Sequence, residues 1–467
     1  MCDVSAIGRF GARIEEVTSF FRVLAISGFL AGMLASSQST YDPALVLART
    51  RDKVLDLEGR LPKYTCVQTV NRAYFRPTKR PEAGTSCDQF AGDKERGRRK
   101  LRLEATDRLR LDVIAAGGQE VYSWAGASRF DSRWVGEFIG EGPVGTGSFG
   151  TFLLDIFRND GASFEFQSAT RLGGKDMLQY AYQVPLGASH YYTLKTDREW
   201  LTTAFSGSLW VNPATDDLER LTVLTSELPP ETGACTADTR VDYQSVRLGT
   251  GGFLLPIENE LRFLLRDGTE SNSISTYSKC REYLAESTVS FEGPSSAANP
   301  ATEPSPVSVP IPEGLPIVLV LTAPIDTEVA AAGDVIEARV KKAVVAPGSA
   351  AVLIPAGAMV LGRIVRMEHR LVPSPHFLIS ISWEKIRHHD AVTPFFARMD
   401  EAIDIKRLRE RAQNLGVRIP VWSPPSGESK RADGWFIFPI SKDRYVVPAG
   451  YETRWRTANP TGHVRLP

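Results

Sequence analysis

The sequence predicts a mainly β protein, in which a half-open antiparallel β-barrel with a helical lid precedes a second, smaller β-barrel or sandwich. Three observations lead to this fold class. An apolar-striped helix opens the globular part, and hydrophobic residues then recur with a period of two from residue 63 to residue 291. A proline-rich stretch follows and separates off a further group of short strands.

The first 37 residues have the character of a signal peptide. Arg13 and Arg22 precede the apolar run 23–35, and small residues follow it. As a helix this run rises about 20 Å, which is too short for a hydrocarbon core of about 30 Å. We therefore expect signal peptide 1–37 and an exported protein. An uncleaved anchor is the alternative, because two glutamates precede the run.

A helix is expected after this segment. Asp42 suits an N-cap and Pro43 the first helical position. Leu47, Val54 and Leu61 then recur at seven-residue spacing and form one apolar stripe. The helix is thus expected to pack one face against a hydrophobic core.

A long meander of strands is expected next. Between residues 101 and 113, apolar side chains alternate with polar ones, namely Arg102, Glu104, Arg108, Arg110 and Asp112. One face of the strand is therefore expected to be solvent-exposed, in an antiparallel sheet that is covered on one side only. A helix followed by such a meander implies a curved sheet wrapped around the helix, over residues 41–292.

A linker and a second domain complete the chain. Residues 293–312 contain six prolines and no apolar period, which is typical of a semi-rigid spacer. Short apolar runs between residues 318 and 447 predict a small β-barrel domain over 313–467, with a charged helical insertion around 400–413.

Four cysteines follow the signal segment, and an even number in an oxidising compartment favours two disulfides. Three connectivities are possible. Nearness in sequence favours Cys66–Cys87 and Cys235–Cys280, and free buried thiols are the alternative. The spacing does not resemble that of a zinc site.

The charge balance argues against nucleic acid. Lys+Arg and Asp+Glu both number 55, so the formal net charge is zero, whereas nucleic-acid binders usually carry a basic excess. The one dense basic run, residues 94–102, is interpreted as a solvated hairpin loop.

Aromatic residues are concentrated in the middle of the first domain. They form either simple core or an apolar groove between sheet and helix that accepts an acyl chain. Under the groove interpretation, the ligand-binding residues are Trp124, Phe130, Trp134, Phe149, Phe152, Phe164 and Phe166.

No convincing catalytic or cofactor motif is present. The glycine run 145–150 has dinucleotide-like spacing but an antiparallel setting, and is interpreted as a flap across the mouth of the sheet. Ser382 and Lys385 match an acylating motif, but alternation predicts a strand with the two on opposite faces. Histidines near residues 369–389 lack zinc-like spacing. We therefore expect no catalytic residues, no metal and no cofactor.

Two resemblances accompany this interpretation. Residues 41–292 resemble the LolA/RseB-type fold of periplasmic lipoprotein carriers and envelope-stress sensors. The opening helix running into 61–70, the strand-turn-strand 207–221 and the blocks 254–256 and 277–283 carry the likeness. It implies a half-open barrel with a helical lid.

Residues 313–365 and 433–455 resemble the β-barrel module of TrbI-type conjugation and secretion channel proteins. The shared pattern comprises Gly314-Leu-Pro, Thr322-Ala-Pro-Ile-Asp, Gly333-Asp-Val and 354–362. This resemblance implies a small barrel used for protein contacts.

The expected function is non-enzymatic. We expect a periplasmic or outer-membrane-associated protein that binds a lipid or lipoprotein tail and other envelope proteins. Peripheral association with a membrane is compatible with this location. A scaffold of an envelope or secretion complex is the alternative, and a metal-dependent hydrolase using the histidines is the third.

Overall fold

A computed structural model describes residues 41–283 and 311–459, except 83, 96–99, 117–118, 128–129, 131–134, 140–141, 159–160, 195–198, 227, 250, 373, 389–390, 401–433 and 439–441. The predicted signal peptide and helical insertion, and nearly all of the predicted linker, lie outside the described residues. The four helices of the described part are α1 (Pro43–Arg60), α2 (Cys87–Glu95), α3 (Val135–Ile139) and α4 (Thr151–Phe157).

The strands of the first half are β1 (Tyr64–Pro77), β2 (Leu101–Ala116), β3 (Gln119–Trp124), β4 (Ser163–Leu172), β5 (Lys175–Val184), β6 (Tyr192–Leu194), β7 (Trp200–Thr202), β8 (Phe205–Asn212), β9 (Asp217–Thr225), β10 (Ala234–Leu248), β11 (Gly251–Leu265) and β12 (Glu270–Glu282).

The strands of the second half are β13 (Pro316–Leu321), β14 (Ile325–Asp326), β15 (Val335–Val340), β16 (Val344–Val345), β17 (Val352–Ile354), β18 (Met359–Arg370), β19 (His376–His388), β20 (Ala391–Pro394), β21 (Ala397–Met399), β22 (Gly434–Phe438), β23 (Val446–Val447) and β24 (Glu452–Thr457).

The opening helix begins as predicted. Asp42 accepts hydrogen bonds from the backbone N–H groups of Ala44 and Leu45, and so satisfies donors that have no partner within the helix. Its fully buried residues are Val46, Thr50 and Val54, whereas Leu47 is only partly buried. The buried stripe therefore follows an i, i+4 ridge that shares Val54 with the predicted stripe.

The first half is an antiparallel meander in the order β4-β5-β8-β9-β10-β11-β12-β1-β2-β3. The terminal strands β3 and β4 are not paired with each other among the described residues, so the sheet stays open. Helices α1 and α4 pack on its inner face. The predicted half-open barrel with a helical lid is confirmed.

Two disulfides are present, but the predicted pairing was wrong. The bonds join Cys66 to Cys280 and Cys87 to Cys235. Strand β1 pairs with β12, with Thr65 opposite Arg281, and this brings Cys66 to the far end of the first half. Sheet pairing, rather than nearness in sequence, therefore sets the connectivity. Two disulfides are typical of a protein that folds in an oxidising compartment.

The second half is a smaller antiparallel sheet curled around its own core. It runs β21-β24-β13-β15-β18-β19, and β20 and β22 share the far edge of β19. Trp383 and Trp455 are fully buried in the middle, in an edge-to-face arrangement with ring centroids 5.6 Å apart. This core draws on residues between 317 and 455.

The two halves share a hydrogen-bonded edge, which we call the seam. One edge of β2 pairs first with β3, then with Ala332 through a parallel bridge, and then with residues 368–370 of β18. The buried guanidinium of Arg363 donates to the carbonyl oxygens of Ala125 and Gly333. The seam therefore continues one backbone ladder from the first half into the second.

The polar face of β2 is not solvent-exposed along its whole length, in contrast to the prediction. Arg108 donates to the carbonyl oxygen of Glu328, and Arg110 pairs with Asp334. Both acceptors belong to the second half, which thus covers part of this face. Among the described helices, none combines the length and apolar character needed to cross a bilayer.

Candidate functional site

The predicted groove residues take different positions. Phe149 and Phe152 are buried, and Phe164 stacks on Phe157 with ring centroids 6.0 Å apart. Phe166 is 42% exposed and meets Tyr180 edge-on. The structure therefore does not bring the predicted set together around one groove.

The remaining members of the set lie elsewhere. Trp124 is partly buried at the seam side, and Phe130 is partly buried against Tyr283. Trp134 lies outside the described residues. Aromatic packing on the inner face is completed by residues that the prediction omitted, namely Tyr182, Tyr191 and Phe205.

A glycine-rich segment, residues 142–150, crosses the inner face of the sheet and leads into α4, whereas the sequence predicted a flap across the mouth of the sheet. We call these residues together with α4 the cover. A Cβ atom on Gly142 would lie 2.2 Å from the Tyr74 hydroxyl, and one on Gly145 would lie 2.7 Å from Nδ2 of Asn259. Gly142 also has φ +109°, which favours glycine, whereas a larger residue at Gly145 would require the Asn259 side chain to move.

The carboxylate of Glu120, on β3, anchors the cover. It accepts the backbone N–H groups of Gly147 (2.8 Å) and Phe149 (2.9 Å), and also the hydroxyl of Tyr122. Burial raises the pKa of Glu120, and these three hydrogen bonds oppose that shift. On the far side, Ser148 accepts from Asn259 through its hydroxyl and from Tyr243 through its carbonyl.

A polar strip lies beneath the cover. By register, Gln68 of β1 faces Tyr277 of β12, Arg72 faces Ser273, and Ser275 faces Asn259 of β11. Five buried atoms of this face have no hydrogen-bond partner within the described chain: Tyr64 OH, Gln68 Oε1, Arg72 Nη1, Asn259 Oδ1 and Ser273 Oγ. Each such atom costs about 1–3 kcal/mol while it stays unpartnered.

Arg72 is the charged centre of the strip and is 3% exposed. Its Nε and Nη2 atoms both donate to Asp107, at 2.7 Å each, and the Tyr74 hydroxyl donates to the same carboxylate at 3.1 Å. The bidentate pair fixes the guanidinium plane. The third nitrogen, Nη1, is left pointing at the glycine segment near Gly142.

Glu58 near the end of α1 supplies a pH-dependent contribution to stability. Burial raises its pKa to about 7, and Arg158 opposes this shift. The folded protein therefore favours the protonated carboxyl: this contribution is fully present below pH 4.5 and is lost as the pH rises towards 7. We expect Glu58→Gln to raise the free energy of unfolding at pH 8 by about 2 kcal/mol, measured by urea denaturation.

The matched control for this prediction is Glu82→Gln, on an exposed loop of the first half. It should leave the pH profile between 4.5 and 8 unchanged. A Glu58→Gln protein that keeps the wild-type pH profile would show that another group is responsible.

The chemical motifs show no catalytic arrangement. The described residues hold no group of three or more His, Cys, Asp and Glu side chains suited to a metal ion. His389 and Asp390 lie outside the described residues. Ser382 and Lys385 do lie on a strand, but a bulge in β19 sets them opposite Arg363 and Leu361, on one face and not on opposite faces as predicted.

The polar strip was missed by sequence reasoning, although a signal existed. Gln68 and Arg72 occupy positions of β1 that alternate with exposed ones, where an apolar residue is the rule. Ser271, Ser273 and Ser275 repeat the same alternation on β12. Polar residues at several inward positions of two paired strands indicate a buried polar surface.

The sequence matches no protein-family model and no curated protein. Among solved structures, a LolA superfamily protein from Nitrosomonas europaea matches at 10% identity and TM-score 0.24, over 51% of this chain and 94% of that one. Lipoprotein LppX of Mycobacterium tuberculosis matches at 10% identity and TM-score 0.18, over 52% and 99%.

A third likeness is to ComB10 of the Com type IV secretion system of Helicobacter pylori, at 15% identity and TM-score 0.18, over 32% of this chain and 86% of that one. The three likenesses agree with the two resemblances drawn from the sequence. At this distance they carry no argument about ligand or activity.

Proposed function

We propose that this chain is an exported, non-enzymatic envelope protein that binds an apolar ligand, such as a lipid or a lipoprotein acyl chain, between the inner face of the half-barrel and the cover. The observation that carries the proposal is the nature of the cover. It is a glycine-rich segment and a short helix held by hydrogen bonds to Glu120, Asn259 and Tyr243, in place of a second sheet.

Replacement of the cover by a ligand is energetically reasonable. Burying an acyl chain against the aromatic inner face contributes about 25 cal/mol per Å² of apolar area. Lifting the glycine segment also uncovers the unpartnered polar atoms of the strip, which a ligand head group or water then satisfies. An amphiphile fits this surface better than a hydrocarbon does.

The wider assignment follows the same reasoning. We place the protein in the periplasm or at the outer membrane, with other envelope proteins as partners of the second half and no nucleic acid. The domain limits 41–292, 293–312 and 313–467 belong to this proposal, as does the signal peptide.

A scaffold is the second candidate function, and one observation favours it. Phe149 and Phe152 already fill the inner face with the protein's own side chains, as a solid support for protein contacts requires. In that case the cover never opens.

Lipid binding separates the two candidates. We expect solvent extraction of the purified protein to release lipid, and a fluorescent fatty acid to bind saturably. Glu120→Gln removes an acceptor from the N–H groups of the cover, so the fatty acid should associate about tenfold faster. Stopped-flow fluorescence measures this rate.

Glu104→Gln is the control, because Glu104 lies on β2 and pairs with surface arginines instead of the cover. It should leave the rate unchanged. Absence of both co-purified lipid and fatty-acid binding would reject the carrier function in favour of the scaffold. Equal rates in the two variants would reject the role of the cover.

A further inference from the structure

A cavity of about 300 Å³ lies at the seam, on the outer face of the first half. Asn71 and Ala73 of β1, Thr106 and Arg108 of β2, and Asn272 and Ile274 of β12 form one wall. Thr327, Met367, His369 and Phe377 of the second half form the other. Most of these side chains lie on the face of the sheet opposite the cover, because alternation along β1 and β2 directs neighbouring residues to opposite sides. The inner-face residues Arg72, Asp107 and Glu368 border the cavity as well.

Arg108 gives the cavity its charge. Its Nε donates to Asn71 Oδ1 at 2.7 Å and its Nη1 donates to the Glu328 carbonyl oxygen. These bonds fix the guanidinium and leave further N–H groups as donors to a ligand. Neither bond neutralises the cation, because both acceptors are uncharged. The cavity wall therefore carries a fixed positive charge.

The carboxylates that border the cavity are already compensated. Register places Glu368 opposite Asp107, on the inner face of the sheet. There Asp107 pairs with Arg72, and Glu368 pairs with Arg366 and Arg370. An anion beside Arg108 thus meets no uncompensated negative charge from these two residues.

The rest of the wall combines apolar and polar groups. Ile274, Ala73 and Met367 supply apolar surface, and the His369 ring stacks on Phe377 with centroids 4.3 Å apart. Asn272 Oδ1 and His369 Nε2 are buried at the wall without a hydrogen-bond partner in the described chain. Burial lowers the pKa of His369, which keeps the imidazole neutral at neutral pH.

We propose that the seam cavity is a binding site for a small carboxylate with a short aliphatic body, whose carboxylate pairs with Arg108 while its apolar part lies against Ile274 and Met367. A guanidinium suits a carboxylate because the two form parallel hydrogen bonds. The volume is at the lower end of ligand sites, which restricts the ligand to a small molecule. Because both halves line the site, its occupant holds them together.

Isothermal titration with hexanoate tests the site, and hexanamide serves as the neutral probe of equal size. Hexanoate should bind saturably, and hexanamide at least about tenfold more weakly. Arg108→Met should weaken hexanoate binding about tenfold to a hundredfold. Arg102→Met is the matched control on the same face of β2, because Arg102 pairs with Glu104 outside the cavity; it should bind as wild type does.

Arg108 also bonds across the seam, so a second variant keeps it intact. Ala73→Leu fills the cavity and should abolish hexanoate binding, while fluorescent fatty-acid binding beneath the cover is retained. Circular dichroism and thermal unfolding confirm that each variant is folded. Equal affinities for hexanoate and hexanamide, unchanged binding in Ala73→Leu, or no saturable binding up to about 1 mM would each overturn the site without affecting the proposed carrier function.

Discussion

Replacing Cys66 and Cys280 together by serine is expected to lower the free energy of unfolding by about 4 kcal/mol. The bond joins residues 214 positions apart and encloses the second disulfide, Cys87–Cys235. Its removal releases β1 from β12 in the unfolded chain, which gains conformational freedom. Guanidinium denaturation of the oxidised protein measures the loss.

Peptide mapping without reduction provides the control for this prediction. It should recover a peptide pair containing Cys66 and Cys280 from wild type, and the pair Cys87 and Cys235 from both proteins. Recovery of Cys66 linked to Cys87, or four reactive thiols after denaturation, would contradict the connectivity and the pairing of β1 with β12 on which it depends.

Gly333→Ala should destabilise the protein by about 3 kcal/mol or more. Gly333 has φ +107°, and an added Cβ would lie 2.0 Å from the backbone oxygen of Arg110 and 3.1 Å from Trp124. Its neighbour Ala332 exchanges two backbone hydrogen bonds with β2, from Arg110 N–H at 2.6 Å and to the Arg108 oxygen at 2.9 Å. The methyl group must push the second half away from β2, so these bonds are lost.

Gly314→Ala separates the clash from the cost of the backbone conformation. Gly314 also has positive φ, +86°, but nothing lies within 4 Å of an added Cβ. Gly314→Ala should lower the free energy of unfolding by only about 1 kcal/mol. Urea denaturation measures the loss in both variants. Equal losses in the two variants would mean that Gly333 does not approach β2 as closely as described.

Local patterns in the sequence predicted the elements well. Asp42 and Pro43 marked the start of α1, and the alternation in 101–113 marked β2, because caps and periodicity depend on residues a few positions apart. The same alternation could not reveal the seam. Arg108 and Arg110 are polar whether they face water or the carbonyl and carboxylate groups of the second half.

Long-range pairing was the main source of error. The partner of Cys66 depends on which strand lies beside β1, and nothing local to Cys66 specifies β12. The bulge in β19 had a similar effect on Ser382 and Lys385, because one inserted residue reverses the facing of the positions beyond it.

The candidate site was predictable only in part. The glycines of 142–150 indicated a segment that comes close to the sheet, and the structure places it on Tyr74 and Asn259. The aromatic set, by contrast, was chosen from clustering in sequence. Phe166 shares the face of Tyr180 but lies on the terminal strand β4 and is 42% exposed, whereas Phe152 lies on α4 and is buried. Arg72 was missed because charged residues are rarely buried unless paired, and its partner Asp107 is on another strand.

The seam has a consequence for the newly made chain. Until residues 331–371 have emerged, the edge of β2 from Glu104 to Arg110 has unpaired N–H and C=O groups that the finished protein covers. Bare strand edges recruit other chains and start aggregation. A chain truncated before residue 311 is therefore expected to self-associate. The second half thus protects the exposed strand edge of the first half from aggregation during assembly.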